Sequence, residues 1–177
     1  AYTYCATANV VIHCGAKPVF VDSNTDFNVS VEQIEKAITN KTKVIMPVDM
    51  GGFPCDYDKI MNLVKADKNK IHFTPNNDIQ KQLGRILFLA DAAHSIGATY
   101  KGRMSGSLAD LSVFSFHAVK NLTTAEGGAV CFNLPTPFNN EEVYKYLCVK
   151  SLHGQNKDAL AKTQKGNWKY DVIEAGY

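Results

Sequence analysis

Short apolar runs and amphipathic stretches alternate through the first half of the chain, as expected when parallel strands are separated by helices. Lys17 to Asp22 reads as a strand, rich in Val and Phe and ending at an acid. Ser30 opens a helix, with Gln33 three residues later in the capping-box arrangement. Val31, Ile34 and Ile38 share the apolar face of that helix. Lys43 to Val48 is a nearly continuous apolar run of the kind buried on both faces. Gly51-Gly52-Phe53-Pro54 makes a turn, and Asp56 caps a helix carrying Ile60, Met61, Leu63 and Val64.

The rhythm breaks over Asp67 to Gly84, a polar segment containing Pro75-Asn76-Asn77-Asp78, which reads as an exposed loop or short excursion. It resumes with a strand over Arg85 to Ala90, followed at once by Asp91. Ligands of open α/β sheets bind beyond the carboxyl ends of the strands, so an acid there is a functional candidate. Asp110 to Phe116 and Gly127 to Phe132 supply two more strands. Glu141 to Leu152 reads as a helix with Val143, Tyr144, Leu147 and Val149 inward, and His153 to Asn167 as a mobile tail. Neither an internal repeat nor a low-complexity segment interrupts the pattern.

Composition narrows the class without naming a function. The 177 residues are 45% hydrophobic and 20% charged, which supports a sizeable core and excludes disorder. A net charge of +2 with no basic stripe gives no reason to expect nucleic acid. Apolar runs fall short of the roughly 18 residues that span a membrane. The first residues, beginning at Ala1, lack the basic and apolar regions of a signal peptide. Both ends read like the interior of a longer protein, so a fragment is expected. The five cysteines, Cys5, Cys14, Cys55, Cys131 and Cys148, are odd in number and include no Cys-x-x-Cys pair. They read as small buried hydrophobes in a reducing cytoplasm, with no zinc site or disulfide framework.

Chemistry concentrates between Phe88 and Asn133. The segment runs Phe-Leu-Ala-Asp91-Ala-Ala-His94, then Ser112-Val-Phe-Ser115-Phe-His-Ala-Val-Lys120-Asn, and then Ala-Glu-Gly-Gly. These motifs resemble the DegT/DnrJ/EryC1/StrS-type nucleotide-sugar aminotransferases, within the fold-type I pyridoxal-phosphate enzymes. His-Ala-Val-Lys-Asn followed by Ala-Glu-Gly-Gly looks closest to members that make 4-amino-4-deoxy sugars. Tyr4 to Asp22 and Thr39 to Asp58 are similar to earlier stretches of the same family, so the likeness spans nearly the whole chain. Residues 67–84 look like an insertion.

The resemblance implies an α/β fold: the large domain of a fold-type I transferase, with a mostly parallel central sheet flanked by helices. It implies pyridoxal 5′-phosphate as cofactor, and a role for five residues. Lys120 matches the lysine that the family attaches to its cofactor; an amine attacks a carbonyl only when neutral, and once freed it can move a proton. Asp91 matches the acid that pairs with the pyridine nitrogen and keeps the ring an electron sink. Its competing structural role is a helix N-cap. His94 matches a Gln or His that orients the ring, and Ser115 a hydroxyl that binds the cofactor phosphate. Tyr4 matches an aromatic residue that stacks on the ring, a contact worth roughly 0.5–1.5 kcal/mol between aromatic groups. His117, Asn121 and Glu126 are assigned no role.

The same likeness implies a nucleotide-linked keto sugar as substrate, glutamate as amino donor, and a homodimer completing each site. It also implies that a phosphate-binding turn precedes Tyr4 and that a small C-terminal domain follows, neither lying within residues 1–177. Two alternatives stand beside the aminotransferase. Family dehydratases carry histidine where Lys120 stands, which argues against sugar dehydration. A truncated module that catalyses nothing is disfavoured by intact Asp91, Ser115 and Lys120. A Cys/His hydrolase is not supported, since no nucleophile lies beside a plausible base motif.

Overall fold

The computed structural model describes residues 1–177 other than Asp158, Gln164, Lys165 and Asn167, and divides them into two compact units, Ala1–Pro135 and Thr136–Tyr177. In the first unit, α1 (Cys5–His13) and α2 (Val31–Ala37) precede β1 (Val44–Ile45). A tight 3₁₀ turn (Met50–Gly52) leads to α3 (Tyr57–Lys65), α4 (Asp67–His72) and α5 (Asp78–Leu83). Then come β2 (Leu87–Asp91), the small pair β3 (Thr99–Tyr100) and β4 (Arg103–Met104), β5 (Leu111–Ser115) and β6 (Gly128–Phe132). The main sheet has the order β1-β2-β5-β6, parallel except for β6. This is the mostly parallel α/β architecture that the sequence implies.

The caps explain where helices begin. Ser30 Oγ accepts from Gln33 N at 3.3 Å, and Asp56 Oδ1 accepts from Lys59 N at 3.2 Å. Helix α3 lays Tyr57, Ile60, Leu63 and Val64 against Ile45, Ile86, Phe88 and Ala90, which together form the core. Tyr57 packs tilted on Phe88, with ring centroids 5.3 Å apart. Below the sheet's reactive end, Arg85 and Asp110 form a buried two-pronged ion pair with both N···O distances 2.7 Å. Asp110 also accepts from Phe88 N at 2.9 Å, so one carboxylate ties the start of β5 to β2.

Several expectations need correction. Lys17 to Asp22 is extended but pairs with no strand among the described residues, leaving Val19 and Phe20 exposed. The expected strand over Lys43 to Val48 shrinks to Val44–Ile45 plus a bridge from Val48 to Asp91. Pro47 lies in that gap and has no N–H to give a ladder; only its carbonyl serves, accepting from Asp91 N at 2.9 Å. Residues 67–84 are a helical excursion, not a loop: Asn77 caps α5, and Gly84 closes it in the left-handed conformation. Helix α1 and the β3–β4 hairpin were not expected. Lys101 and Gly102 both take positive φ, as a two-residue hairpin turn requires.

The second unit contains α6 (Asn140–Ser151) and α7 (Ala159–Thr163), with a bridge between Gln155 and Val172. Asn139 caps α6 through Glu141 N and Glu142 N. Its inward face is weaker than expected: Val143, Leu147 and Val149 are half-buried and Tyr144 is exposed. The expected mobile tail over 153–167 includes Asp158, Gln164, Lys165 and Asn167, which lie outside the described residues. Of the cysteines, only Cys55 is buried; Cys5 and Cys14 are exposed, contrary to the reading of all five as core groups. Among the described residues no helix is long and apolar enough to cross a membrane.

Candidate functional site

The carboxyl ends of β2 and β5 bring the sequence candidates to one place. Asp91 is the last residue of β2 and pairs in register with Val113 of β5. Ser115 lies two residues beyond Val113, on the same face of the sheet and about 7 Å further along the strand. No helix starts at Asp91, so the N-cap role does not apply. Instead Asp91 begins a turn in which its Oδ1 accepts from Ala93 N at 3.2 Å. Its Oδ2 accepts from the Thr7 hydroxyl on α1 at 2.8 Å.

Beyond β5 the chain closes a loop, with Phe116 N donating to Gly127 O at 2.8 Å and Thr124 N to Phe116 O at 2.9 Å. Lys120 stands in this loop, its own N–H donating to His117 O at 2.9 Å. Its Nζ lies 2.9 Å from His94 Nε2. Lysine has only protons to give, so Nε2 accepts and the imidazole proton sits on Nδ1 when the ring is neutral. Nδ1 is buried without a hydrogen-bond partner. Gly51, His94, Val119, Lys120 and Asn121 line an open hollow of about 280 Å³.

The turn that carries His94 is held from two further directions. Ser95 Oγ donates to the buried Asp49 Oδ2 at 2.6 Å, and the same oxygen accepts from Tyr57 OH at 2.7 Å. Asp49 N donates in turn to Asp91 O at 3.0 Å. Burial pushes the Cys55 thiol and the Tyr57 phenol well above their ordinary values, and the Asp49 carboxylate adds to both. Gly52 lies so close that a Cβ there would stand 2.8 Å from His94 O, at a φ of 83°. From the loop side, Asn121 Nδ2 donates to Ile96 O at 3.2 Å.

Lys120 and His94 therefore touch, and Asp91 and Ser115 share a sheet face. Ser115 Oγ accepts a long bond from His117 N at 3.4 Å. Tyr4 is the least engaged: its ring is 76% exposed, and it reaches the others only through α1, which it precedes. Reading the sequence missed Thr7, Asp49, Ser95 and Asn121. Thr7 stands about one helical turn after Tyr4, a spacing visible only once α1 is known to be a helix. Asn121 was noticed beside Lys120 and given no role, because its bond to Ile96 O depends on how the loop folds back.

The family model for the DegT/DnrJ/EryC1/StrS aminotransferase family matches residues 1–173. The spore coat polysaccharide biosynthesis protein SpsC of Bacillus subtilis is 38% identical over 99% of this chain and 40% of its own length. The UDP-4-amino-4,6-dideoxy-N-acetyl-beta-L-altrosamine transaminase of Campylobacter jejuni is also 38% identical, over 99% of this chain and 39% of its own. Among solved structures, the PMP-form of Spr1654 from Streptococcus pneumoniae superposes with a TM-score of 0.89 at 48% identity, covering 99% of this chain and 44% of that one. Its PLP-form gives 0.87 at 44% identity, over 99% and 42%. The chain spans about 40% of the length of the curated relatives it matches. It belongs to the DegT/DnrJ/EryC1/StrS aminotransferase family, which is pyridoxal-phosphate-dependent.

Proposed function

We propose that the protein to which this chain belongs transfers an amino group to a nucleotide-linked 4-keto sugar, using pyridoxal 5′-phosphate and glutamate as donor. The observation that carries this reading is the Lys120 Nζ–His94 Nε2 contact at 2.9 Å on the wall of an open hollow, beside the strand end that bears Asp91. The Campylobacter jejuni relative is named as the transaminase of a UDP-linked amino sugar, which supports the substrate class. A specific observation favouring dehydration is lacking, because a lysine and not a histidine occupies the position of attachment.

The residues fit the cofactor chemically. Of the side chains lining the hollow, Lys120 alone carries a primary amine, the group an aldehyde takes up. Asp91 has one protein donor on each oxygen and so keeps lone pairs for a pyridinium N–H. The buried, unpartnered His94 Nδ1 is the kind of polar atom a ligand satisfies. Ser115 Oγ is available for phosphate at the sheet's carboxyl end, and the exposed Tyr4 ring for stacking.

When bound, the cofactor supplies an electron sink that stabilises negative charge on the substrate carbon. Lys120 Nζ is the base in this proposal and moves the proton to and from that carbon. His94 Nε2 directs the amine by accepting its hydrogen. Asp91, acidic at a strand end, would pair with the ring nitrogen and keep it protonated. We place residues 1–177 in the large domain, with 67–84 as an insertion. We assign the phosphate turn, the small domain and a second subunit to the remainder of a cytoplasmic homodimer.

The test uses the complete protein. Loaded with pyridoxal phosphate, it should show the absorbance of lysine-bound cofactor, become fixed to Lys120 by borohydride, and lose both properties in Lys120→Ala. Borohydride fixation to another lysine would sink the assignment. Glutamate and a panel of nucleotide 3-keto and 4-keto sugars then test the donor and the ring position.

A further inference from the structure

We propose that Thr7 is a positioning residue that sets the Asp91 carboxylate and the Tyr4 ring together. The proposal rests on the reading of Asp91 and Tyr4 as cofactor-binding groups. Thr7 sits in the first turn of α1, half-buried, and makes three directed contacts. Its hydroxyl donates to Asp91 Oδ2 at 2.8 Å. It accepts from the Thr3 hydroxyl, also at 2.8 Å. Its backbone N–H donates to Tyr4 O at 3.2 Å.

The direction of the chain of bonds follows from what each group can do. Ionised Asp91 only accepts, so Thr7 commits its single hydroxyl proton there and meets Thr3 with a lone pair. Linked donors of this kind polarise one another and strengthen the last bond, the one to the carboxylate. With Ala93 N on Oδ1, the carboxylate plane is held at both oxygens. A carboxylate held at one oxygen alone could rotate about its Cβ–Cγ bond and misdirect its free lone pairs.

Helix α1 has little else to fix its place. It buries no residue, and among the described residues Thr7–Asp91 is its one side-chain hydrogen bond into the sheet. Tyr4 is the residue from which the chain enters that helix. A helix tethered at Thr7 therefore fixes where the Tyr4 ring stands relative to Asp91. The two groups assigned to opposite features of the ring, its nitrogen and its face, are set by one threonine.

Thr7→Val keeps the shape and the β-branch and removes only the hydroxyl, while Thr7→Ser restores the hydroxyl without the methyl. Both are compared with wild type and Asp91→Asn in the complete protein. Pyridoxal phosphate is titrated into apoprotein, the cofactor absorbance is followed against pH, and apoprotein melting is recorded. We expect Thr7→Val to raise the cofactor dissociation constant about tenfold, the loss of one hydrogen bond to a charged group. It should also shift the apparent pKa of the cofactor band, with apoprotein melting unchanged. Thr7→Ser should stay within about threefold of wild type. Unchanged affinity in Thr7→Val, where Asp91→Asn weakens binding, would overturn the role of Thr7 alone. So would a fall in apoprotein melting that accounts for the weaker binding. Failure of the wild type to bind, or an Asp91→Asn as tight as wild type, overturns the cofactor site and this proposal with it.

Discussion

Removing the Asp110 carboxylate should be among the most damaging single changes in the sheet. Its side chain is 2% exposed and that of Arg85 7%, and the two meet through a pair of 2.7 Å bonds. Asp110→Ala leaves a guanidinium buried with no counter-charge, which costs about 3–5 kcal/mol. The Phe88 N–H, near the start of β2, also loses its acceptor. Since domains are stable by only about 5–15 kcal/mol, the variant should unfold at a much lower urea concentration. The double variant Arg85→Met/Asp110→Leu separates the causes. It removes both charges and leaves only neutral groups, the Phe88 N–H and the Ile86 carbonyl, without their side-chain partners, so it should be more stable than the single variant, which keeps an uncompensated buried charge. Equilibrium urea unfolding of the protein, followed by circular dichroism, reads each change from its midpoint and slope. A cost below about 1 kcal/mol for Asp110→Ala, or a double variant worse than the single, would refute the buried-charge account.

Asp56 offers a pH-dependent case. Burial pushes its carboxyl up, but bonds from Tyr100 and Lys59 outweigh this and hold it below its ordinary 3.8. A depressed native value means the stabilisation is present above about pH 4 and fades as pH falls through the native value. Asp56→Asn should therefore lower the melting temperature at pH 7, with the gap to wild type narrowing as pH falls below about 4; a gap that does not change with pH would contradict the assignment. Gly52→Ala combines a φ of 83° with a Cβ 2.8 Å from His94 O, so it should cost at least about 1 kcal/mol and weaken cofactor binding. Unchanged melting and affinity would show that the 3₁₀ turn gives way freely. Burial and the nearby Asp49 raise the Cys55 thiol, so peptide mapping after brief iodoacetamide treatment should find Cys55 unlabelled in the folded protein and labelled in urea.

What could be read in the chain depended on the range of the interaction that decided it. Helices α2 and α3 were legible because Ser30 and Asp56 cap them locally and their apolar residues recur at helical spacing. The strands over 87–91 and 111–115 were legible as runs whose alternate residues are buried on the sheet, and that over 128–132 because a Gly-Gly turn introduces a short apolar run. Lys17 to Asp22 has a similar composition but pairs with no strand among the described residues, and pairing is not written in a strand's own residues. Helix α1 escaped notice for the opposite reason: Tyr4 makes no side-chain cap, and no residue of the helix is buried. Within the site, family motifs pointed to Lys120, Asp91 and His94, yet not to the residues that hold them. Thr7 meets Asp91 across 84 positions and Asp49 meets Ser95 across 46, separations that no local pattern reports.

Those supports also explain how a lysine and an aspartate can serve one site without cancelling each other. Opposite charges attract, and a direct ion pair would consume both the amine and the carboxylate. Among the described residues Lys120 instead meets the neutral acceptor of His94, and Asp91 meets a hydroxyl and a backbone N–H. Each group is satisfied by a partner that leaves its chemistry intact. The turn that carries His94 is held by Ser95 on Asp49 and by the close approach of Gly52. The polar cluster around Asp49 thus does more than satisfy buried groups: it fixes the turn whose His94 meets Lys120.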